Sequence, residues 1–151
     1  MKRIVTGALA LALLLAGCGG GEGKTADPQT VVDTYLESQA YSDQLEALDP
    51  EVAVTLHGLA AEDVSDIRSY CSTGATAEEL TVVTAADEAA AGRVQEALQT
   101  YVDDLKVTLA DYQPAEVDKL EHAVLRTAGT VVILMVASDW EYAAGVDGLI
   151  S

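Results

Sequence analysis

The sequence predicts an α+β domain in which an antiparallel sheet of about four strands packs against one long central helix and flanking helices. Two observations support this class. Short runs rich in β-branched residues occur in two pairs, and a glycine-containing turn, at Gly74 or Gly129, separates the members of each pair. Between the pairs lies one long helical stripe of apolar residues. Strands that arrive as hairpins form antiparallel sheets, so the predicted order is α-α-β-β-α-β-β-α.

Residues 1–17 have the composition of an export signal. Lys2 and Arg3 precede an apolar run over 4–15, which is too short for a stable membrane span. The sequence Leu15-Ala16-Gly17-Cys18 resembles the bacterial lipobox. That resemblance implies cleavage between Gly17 and Cys18 and a diacylglycerol on the Cys18 sulfur, with a second acyl chain giving stable anchoring. An ordinary signal followed by a coincidental cysteine, and an uncleaved anchor, are the alternatives.

The processed chain is strongly acidic. Removal of residues 1–17 leaves six basic residues against 25 acidic ones, a formal net charge of −19. Such a surface repels nucleic acid phosphates, so no nucleic acid partner is expected. The acids are dispersed, which is typical of a solvated surface, with binding of cations or of a basic partner as the alternative. Residues 18–27 are glycine-rich and predict a flexible linker after the lipidated cysteine, and 28–151 predict a single domain.

Two Asp-Pro pairs predict the first two helices, because aspartate caps a helix whose first residue is proline. The first helix is expected from Asp27-Pro28 to about Gln39, and the second from Asp49-Pro50 to near Gly58. Strands are then predicted over 67–73 and 79–84, both rich in residues that favour extended backbone.

Asp87 predicts the start of the longest helix, which runs to about Tyr112. Its apolar residues follow one another at intervals of three and four: Val94, Leu98, Tyr101, Leu105, Leu109 and Tyr112. A short helix is expected after Gln113-Pro114, followed by strands over 122–127 and 130–137. The last strand is apolar on both faces, which predicts an inner strand covered on each side. Ser138, with Glu141 three residues later, predicts a capping box for a final helix.

Few residues suit catalysis, and no catalytic, cofactor-binding or metal-binding residue is predicted. His57 and His122 are the only histidines and share no zinc-ligand spacing, so a helix-end and a strand-entry position are expected for them. Cys71 has no partner if Cys18 carries lipid, and core packing is favoured over a reactive thiol.

The order of lipobox, glycine linker, acidic helix, Leu56-His57-Gly58-Leu59, the segment Gly74-Ala75-Thr76-Ala77-Glu78-Glu79-Leu80 and a long helix resembles domain-of-unknown-function family 4358. The resemblance covers roughly residues 28–150. It implies a small lipoprotein on the outer face of the cytoplasmic membrane of a Gram-positive cell, and it supplies no activity or catalytic residue.

Three functions are compatible with these features. The leading hypothesis is a non-enzymatic surface lipoprotein that binds an envelope protein or polymer, with the membrane as its partner through Cys18. The second is a small envelope hydrolase with a carboxylate pair, for which Glu78-Glu79, Asp103-Asp104 and Glu62-Asp63 are adjacent acids. Solute capture for a transporter ranks third, because one domain lacks the two lobes that usually close on a small solute.

Overall fold

The computed structural model describes residues 23–151 and shows a five-stranded antiparallel sheet between two layers of helices. The strands, in chain order, are β1 (Leu45–Ala47), β2 (Val64–Ser72), β3 (Glu79–Ala85), β4 (Val124–Ala128) and β5 (Val131–Val136). The helices are α1 (Pro28–Tyr35), α2 (Pro50–Leu56), α3 (Glu88–Leu109), α4 (Pro114–Glu121) and α5 (Trp140–Ala144). Single 3₁₀ turns cover Ala61–Asp63 and Gly145–Leu149. The predicted signal over residues 1–17 and the predicted lipidation site Cys18 lie outside the described residues.

The sheet has the order β1-β2-β3-β5-β4, so β5 lies between β3 and β4. The predicted α+β class and long central helix are confirmed, and the sheet has one strand more than expected. The additional strand, β1, is three residues long and pairs only with β2, with Glu46 opposite Cys71. The sequence did not predict β1, because three residues are too few to show an alternating apolar pattern. A strand this short at the edge of a sheet is recognised only by its pairing with the neighbouring strand.

Both faces of the sheet are buried. Leu80, Ile133 and Met135 pack against α1 and the C-terminal helices, whereas Val83 and Leu134 face the layer of α2, α3 and α4. All six residues of β5 are buried, which confirms the predicted inner strand. The first three predicted helix starts are also confirmed, because Asp27, Asp49 and Asp87 each accept a hydrogen bond from a backbone amide of the helix that follows.

Several predicted boundaries were wrong. Helix α1 ends at Tyr35 and not near Gln39, and β2 begins at Val64 and not at Ile67. The strand expected from His122 begins at Val124, and His122 instead ends α4 and stacks on Trp140 with ring centroids 4.1 Å apart. The final helix is capped by Asp139, whose side chain accepts from the amide of Tyr142, and not by Ser138. The Ser138 hydroxyl instead donates to Glu78.

The two ends of the described chain pair through their backbones. The Thr25 amide donates to the Ser151 carbonyl at 2.8 Å, and the Ser151 amide donates back at 3.0 Å. Ala26 is buried. The last residues of the segment predicted as a linker therefore already belong to the folded domain.

The β4–β5 turn requires glycine, and a substitution there tests this requirement. Gly129 has φ +59°, and a Cβ atom at this position would lie 3.0 Å from the carbonyl oxygen of Lys24. We expect Gly129→Ala to lower the free energy of unfolding by about 1–2 kcal/mol, because the left-handed conformation disfavours a side chain. Gly92→Ala is the matched control, since this exposed helical position has no atom within 4 Å of the added methyl. That change should stabilise by about 0.5–1 kcal/mol in urea titrations. A change in the free energy of unfolding in the same direction for both variants would contradict the prediction.

Candidate functional site

A cavity of about 260 Å³ opens between the end of α2, the β2–β3 loop and the C-terminal half of α3. Three features of the sequence position its walls. His57 ends α2 and Gly58 follows with φ +64°, the left-handed conformation that commonly terminates helices. Gly74, with φ +110°, turns the chain between β2 and β3. Tyr112, three residues after the end of α3, also lines the cavity.

Large apolar side chains form part of the mouth of the cavity, whose lining also includes Ser72, Thr76 and Gln113. Leu56 and Tyr112 line it while remaining 48% and 66% exposed, and Leu105 and Leu109 form the wall on α3. The sequence predicted Tyr112 as the last residue of the buried stripe, and this was wrong. Helix α3 ends three residues earlier, and the tyrosine side chain is largely exposed beside the cavity.

The floor of the cavity contains a buried carboxylate, Glu79, held by two neighbours. Its Oε1 lies 3.0 Å from His57 Nε2 and accepts from the Thr81 hydroxyl at 2.9 Å. The other imidazole nitrogen, Nδ1, lies 2.7 Å from the carbonyl oxygen of Ala53. A carbonyl oxygen only accepts, so Nδ1 must carry a hydrogen. Both imidazole nitrogens then face acceptors, and the contact with Glu79 requires one further proton.

The electrostatics assign that proton to His57. Burial lowers the pKa of the imidazole, but the hydrogen bond to Glu79 and the charge of Glu79 outweigh it, so the pKa of His57 is raised. Below that raised pKa the pair is a buried imidazolium–carboxylate contact. Tyr101 stacks obliquely on His57 with ring centroids 4.5 Å apart, and burial followed by the charge of Glu79 raises the pKa of its hydroxyl.

Cys71 lines the same cavity, and its chemistry is that of a protonated thiol. Burial, with the nearby charge of Glu79, raises the pKa of Cys71 to about 12. The thiolate is the nucleophile, so a thiol with this pKa reacts slowly at neutral pH. The structure therefore supports a packing role for Cys71 within the described part of the chain.

Alkylation tests this assignment. At pH 8 we expect iodoacetamide to modify Cys71 in the folded protein at least tenfold more slowly than in the protein unfolded in urea, because the folded thiol is almost fully protonated. Mass spectrometry of the Cys71 peptide measures both rates. Equal rates in the two states would show that the thiol is neither shielded nor perturbed.

The adjacent Glu78 faces a different set of groups. Its carboxylate accepts from the backbone amides of Ser42 and Asp43, at 3.0 and 2.8 Å, and from the hydroxyls of Ser42 and Ser138. Lys119 Nζ lies 3.2 Å from its Oε1. Glu78 thus joins four separate segments of the chain. Burial raises the pKa of Glu78, but the hydrogen bonds that it accepts lower the pKa by a larger amount. The pKa of Glu78 therefore lies below its usual value of 4.5.

The adjacent acids singled out in the sequence have different partners, although Glu78 and Glu79 both line the cavity. Glu78 and Glu79 engage separate partner sets, as described above. Asp63 accepts from Arg93 at 2.5 and 2.9 Å, and Asp103 accepts from Lys106 at 3.0 Å. Each of these acids is thus committed to a different neighbour.

Within residues 23–151, no group of three or more histidine, cysteine, aspartate or glutamate side chains is arranged to hold a metal ion. No helix in this range combines the length and hydropathy needed to cross a membrane.

The pairing of His57 with Glu79 was missed by sequence reasoning, although β3 contains a signal for it. Glu79 and Thr81 occupy the same strand face as Val83, in a strand that is buried on both sides. Polar residues at inward positions of such a strand require hydrogen-bond partners. The partner itself is 22 residues away and becomes visible only when α2 packs on the sheet.

Comparison with known proteins gives one match. The profile of the family described as "Domain of unknown function (DUF4358)" matches residues 37–137, a range that contains the whole cavity. No curated protein and no solved structure matches the chain.

Proposed function

Because the chain belongs to the DUF4358 family, whose description names no activity, we propose that it is a membrane-anchored surface lipoprotein with a non-enzymatic binding domain. The lipobox at Leu15-Ala16-Gly17-Cys18 supports the anchor, with a diacylglycerol on Cys18 holding the chain on the outer face of the cytoplasmic membrane. The partner is a protein or polymer of the cell envelope.

The observation that carries the binding role is the apolar part of the mouth of the cavity. Leu56 and Tyr112 are large side chains exposed to solvent, and they stand together at one opening. Exposed apolar side chains that cluster around a concavity are typical of binding sites. The cavity volume, about 260 Å³, is below the usual range for drug-sized ligands, roughly 300–1,000 Å³. A single side chain or polymer unit of a larger partner fits it better.

The geometry favours binding over hydrolysis. A glycosidase needs two carboxylates that converge in a cleft, one of them with a raised pKa. Glu78 and Glu79 both line the cavity, but separate partners hold them and the pKa of Glu78 is lowered. A carboxylate-pair hydrolase is therefore the alternative that the site supports less well.

The anchor is tested by replacing its sulfur. We expect Cys18→Ser to accumulate as an uncut precursor without incorporated fatty acid, because serine supplies no thiol for the thioether. Metabolic labelling with a palmitate analogue, together with intact mass, measures both effects. Cys71→Ser is the matched control and should be labelled like wild type. Equal labelling of the Cys18→Ser chain would remove the anchor from the proposal.

The binding role is tested in the native membrane with a photo-crosslinking amino acid. Placed at Tyr112 in the full-length chain, it should give discrete adducts with one or a few envelope components. Placed at Val107, which is 77% exposed on α3 but lines none of the described cavities, it should give none of them. The same adducts at both positions would show that the crosslinker reacts with any molecule nearby in the membrane, and they would overturn the proposal.

A further inference from the structure

We infer that the surface around Leu56 binds a basic, amphipathic segment of a partner protein. The segment would place one apolar side chain in the cavity beside Tyr112 and lysine or arginine residues along α2. This inference rests on the proposed binding function and adds the chemistry of the partner.

The apolar part of the surface is continuous across α2. Leu56 lines the cavity described above and also two shallower depressions beside it, one of about 480 Å³ along α2 and one of about 350 Å³ against α3. Val52 lies one helical turn before Leu56 and is 53% exposed. Val52, Leu56 and Tyr112 therefore offer a strip of apolar contacts, which suits a segment with apolar residues at helical or alternating spacing.

The exposed charges at this strip are acidic. Glu51 lines the depression along α2 and Asp104 lines the depression against α3, and both are exposed. The buried Glu79 of the cavity is paired with His57, so it adds no free charge. No lysine or arginine of residues 23–151 lines any of these three depressions. Lys119 is near the cavity but is already engaged by Glu78 and Glu116. A basic segment complements this field and would be steered towards it.

The same charges disfavour the other occupants. A second copy of this chain presents the same acids and would be repelled. An anionic lipid surface would be repelled for the same reason. A basic polypeptide segment satisfies both the apolar strip and its acidic border.

The test uses the full-length lipidated chain in nanodiscs of zwitterionic lipid, with the photo-crosslinker at position 112 or 107. Three synthetic 16-residue peptides serve as partners. The first carries leucines at helical spacing with lysines elsewhere, the second has glutamate for lysine, and the third has serine for leucine. We expect the lysine–leucine peptide to crosslink at position 112 at least tenfold more than at 107, and at least tenfold more than either other peptide.

Variants then locate the contacts. Leu56→Ser should reduce the yield at position 112 at least fivefold. The pair Glu51→Gln with Asp104→Asn should reduce it about threefold and weaken its dependence on salt. The pair Asp33→Asn with Glu88→Gln removes the same number of charges away from the strip and should change the yield less than 1.5-fold. An equal loss in both pairs would show that total charge decides binding and would overturn the inference.

The outcomes separate this inference from the proposed function. In the native membrane, adducts could form at position 112 and not at 107 while the crosslinked segment of the partner lacks basic residues. That result would support the proposed binding function and overturn the inference of a basic partner. Adducts between two copies of the chain would do the same. Preferential capture of the glutamate–leucine peptide, or of the lysine–serine peptide, would also overturn it.

Discussion

Replacing Glu78 by alanine is expected to lower the free energy of unfolding at pH 7 by about 3–5 kcal/mol, the usual cost of removing one partner from a buried charged network. The carboxylate is buried and is the shared acceptor for Ser42, Asp43, Ser138 and Lys119. Alanine would remove the carboxylate that accepts from the backbone amides of Ser42 and Asp43 and from the ammonium group of Lys119. Urea unfolding followed by circular dichroism measures the change.

Two further variants identify the cause of this loss. Glu88→Ala removes an exposed carboxylate from the first turn of α3 and should cost less than about 1 kcal/mol. Glu78→Gln keeps the shape but places an amide nitrogen where two N–H donors converge, so it should fall between Glu88→Ala and Glu78→Ala. A Glu78→Ala protein as stable as the Glu88→Ala protein would show that the network contributes nothing.

The pH dependence of the same comparison has a defined sign. The pKa of Glu78 is lowered on folding, so its contribution is present above its usual value of 4.5 and is lost as the pH falls through the lower folded-state pKa. The difference in stability between wild type and Glu78→Gln should therefore be constant from pH 7 to about 5 and shrink on further acidification. A difference that grows below pH 4.5 would contradict the assigned pKa shift.

Local rules predicted the helices well, because aspartate and proline act through the residues next to them. Asp27, Asp49 and Asp87 each cap the helix expected from them. The same rules gave a wrong cap at Ser138. Its hydroxyl is taken by Glu78, 60 residues earlier in the chain, and a distant acceptor of this kind has no local signature.

The candidate site was predictable only in parts. The stripe on α3 indicated Leu105 and Leu109, which form its wall. The cavity itself depends on how α2 and the β2–β3 loop pack against that wall, and this packing is set by contacts between distant segments. Tyr112 lies three residues beyond the end of α3 at Leu109 and is exposed, although the apolar period extends to it. Helix ends are the least reliable feature of such patterns.

The buried pair of His57 and Glu79 should make the folded protein lose stability as the pH rises. The pKa of His57 is raised on folding, so its contribution is complete below the usual value of 6.5 and is lost as the pH rises through the folded-state pKa. Deprotonation leaves the Nε2 lone pair facing a carboxylate oxygen 3.0 Å away. We expect the free energy of unfolding of wild type, measured in urea from pH 6 to 9, to fall above pH 6.5.

Glu79→Gln should abolish this alkaline loss, because a glutamine amide can donate to a neutral imidazole and no extra proton is needed. With the carboxylate gone, burial, which lowers the pKa of His57, is opposed only by the hydrogen bond to the Ala53 carbonyl. Because burial is the larger of these two influences, stability should instead rise slightly as the pH increases through 6. His57→Ala should be the least stable variant at pH 6. Its free energy of unfolding should be about 3–5 kcal/mol below that of wild type, because the buried carboxylate of Glu79 loses its charged partner. If the free energy of unfolding depends on pH in the same way in wild type and in Glu79→Gln, the proton assigned between His57 and Glu79 is not there. A His57 imidazole signal in NMR that titrates below 6.5 in wild type would contradict that assignment independently, with His122→Gln used to assign the signal.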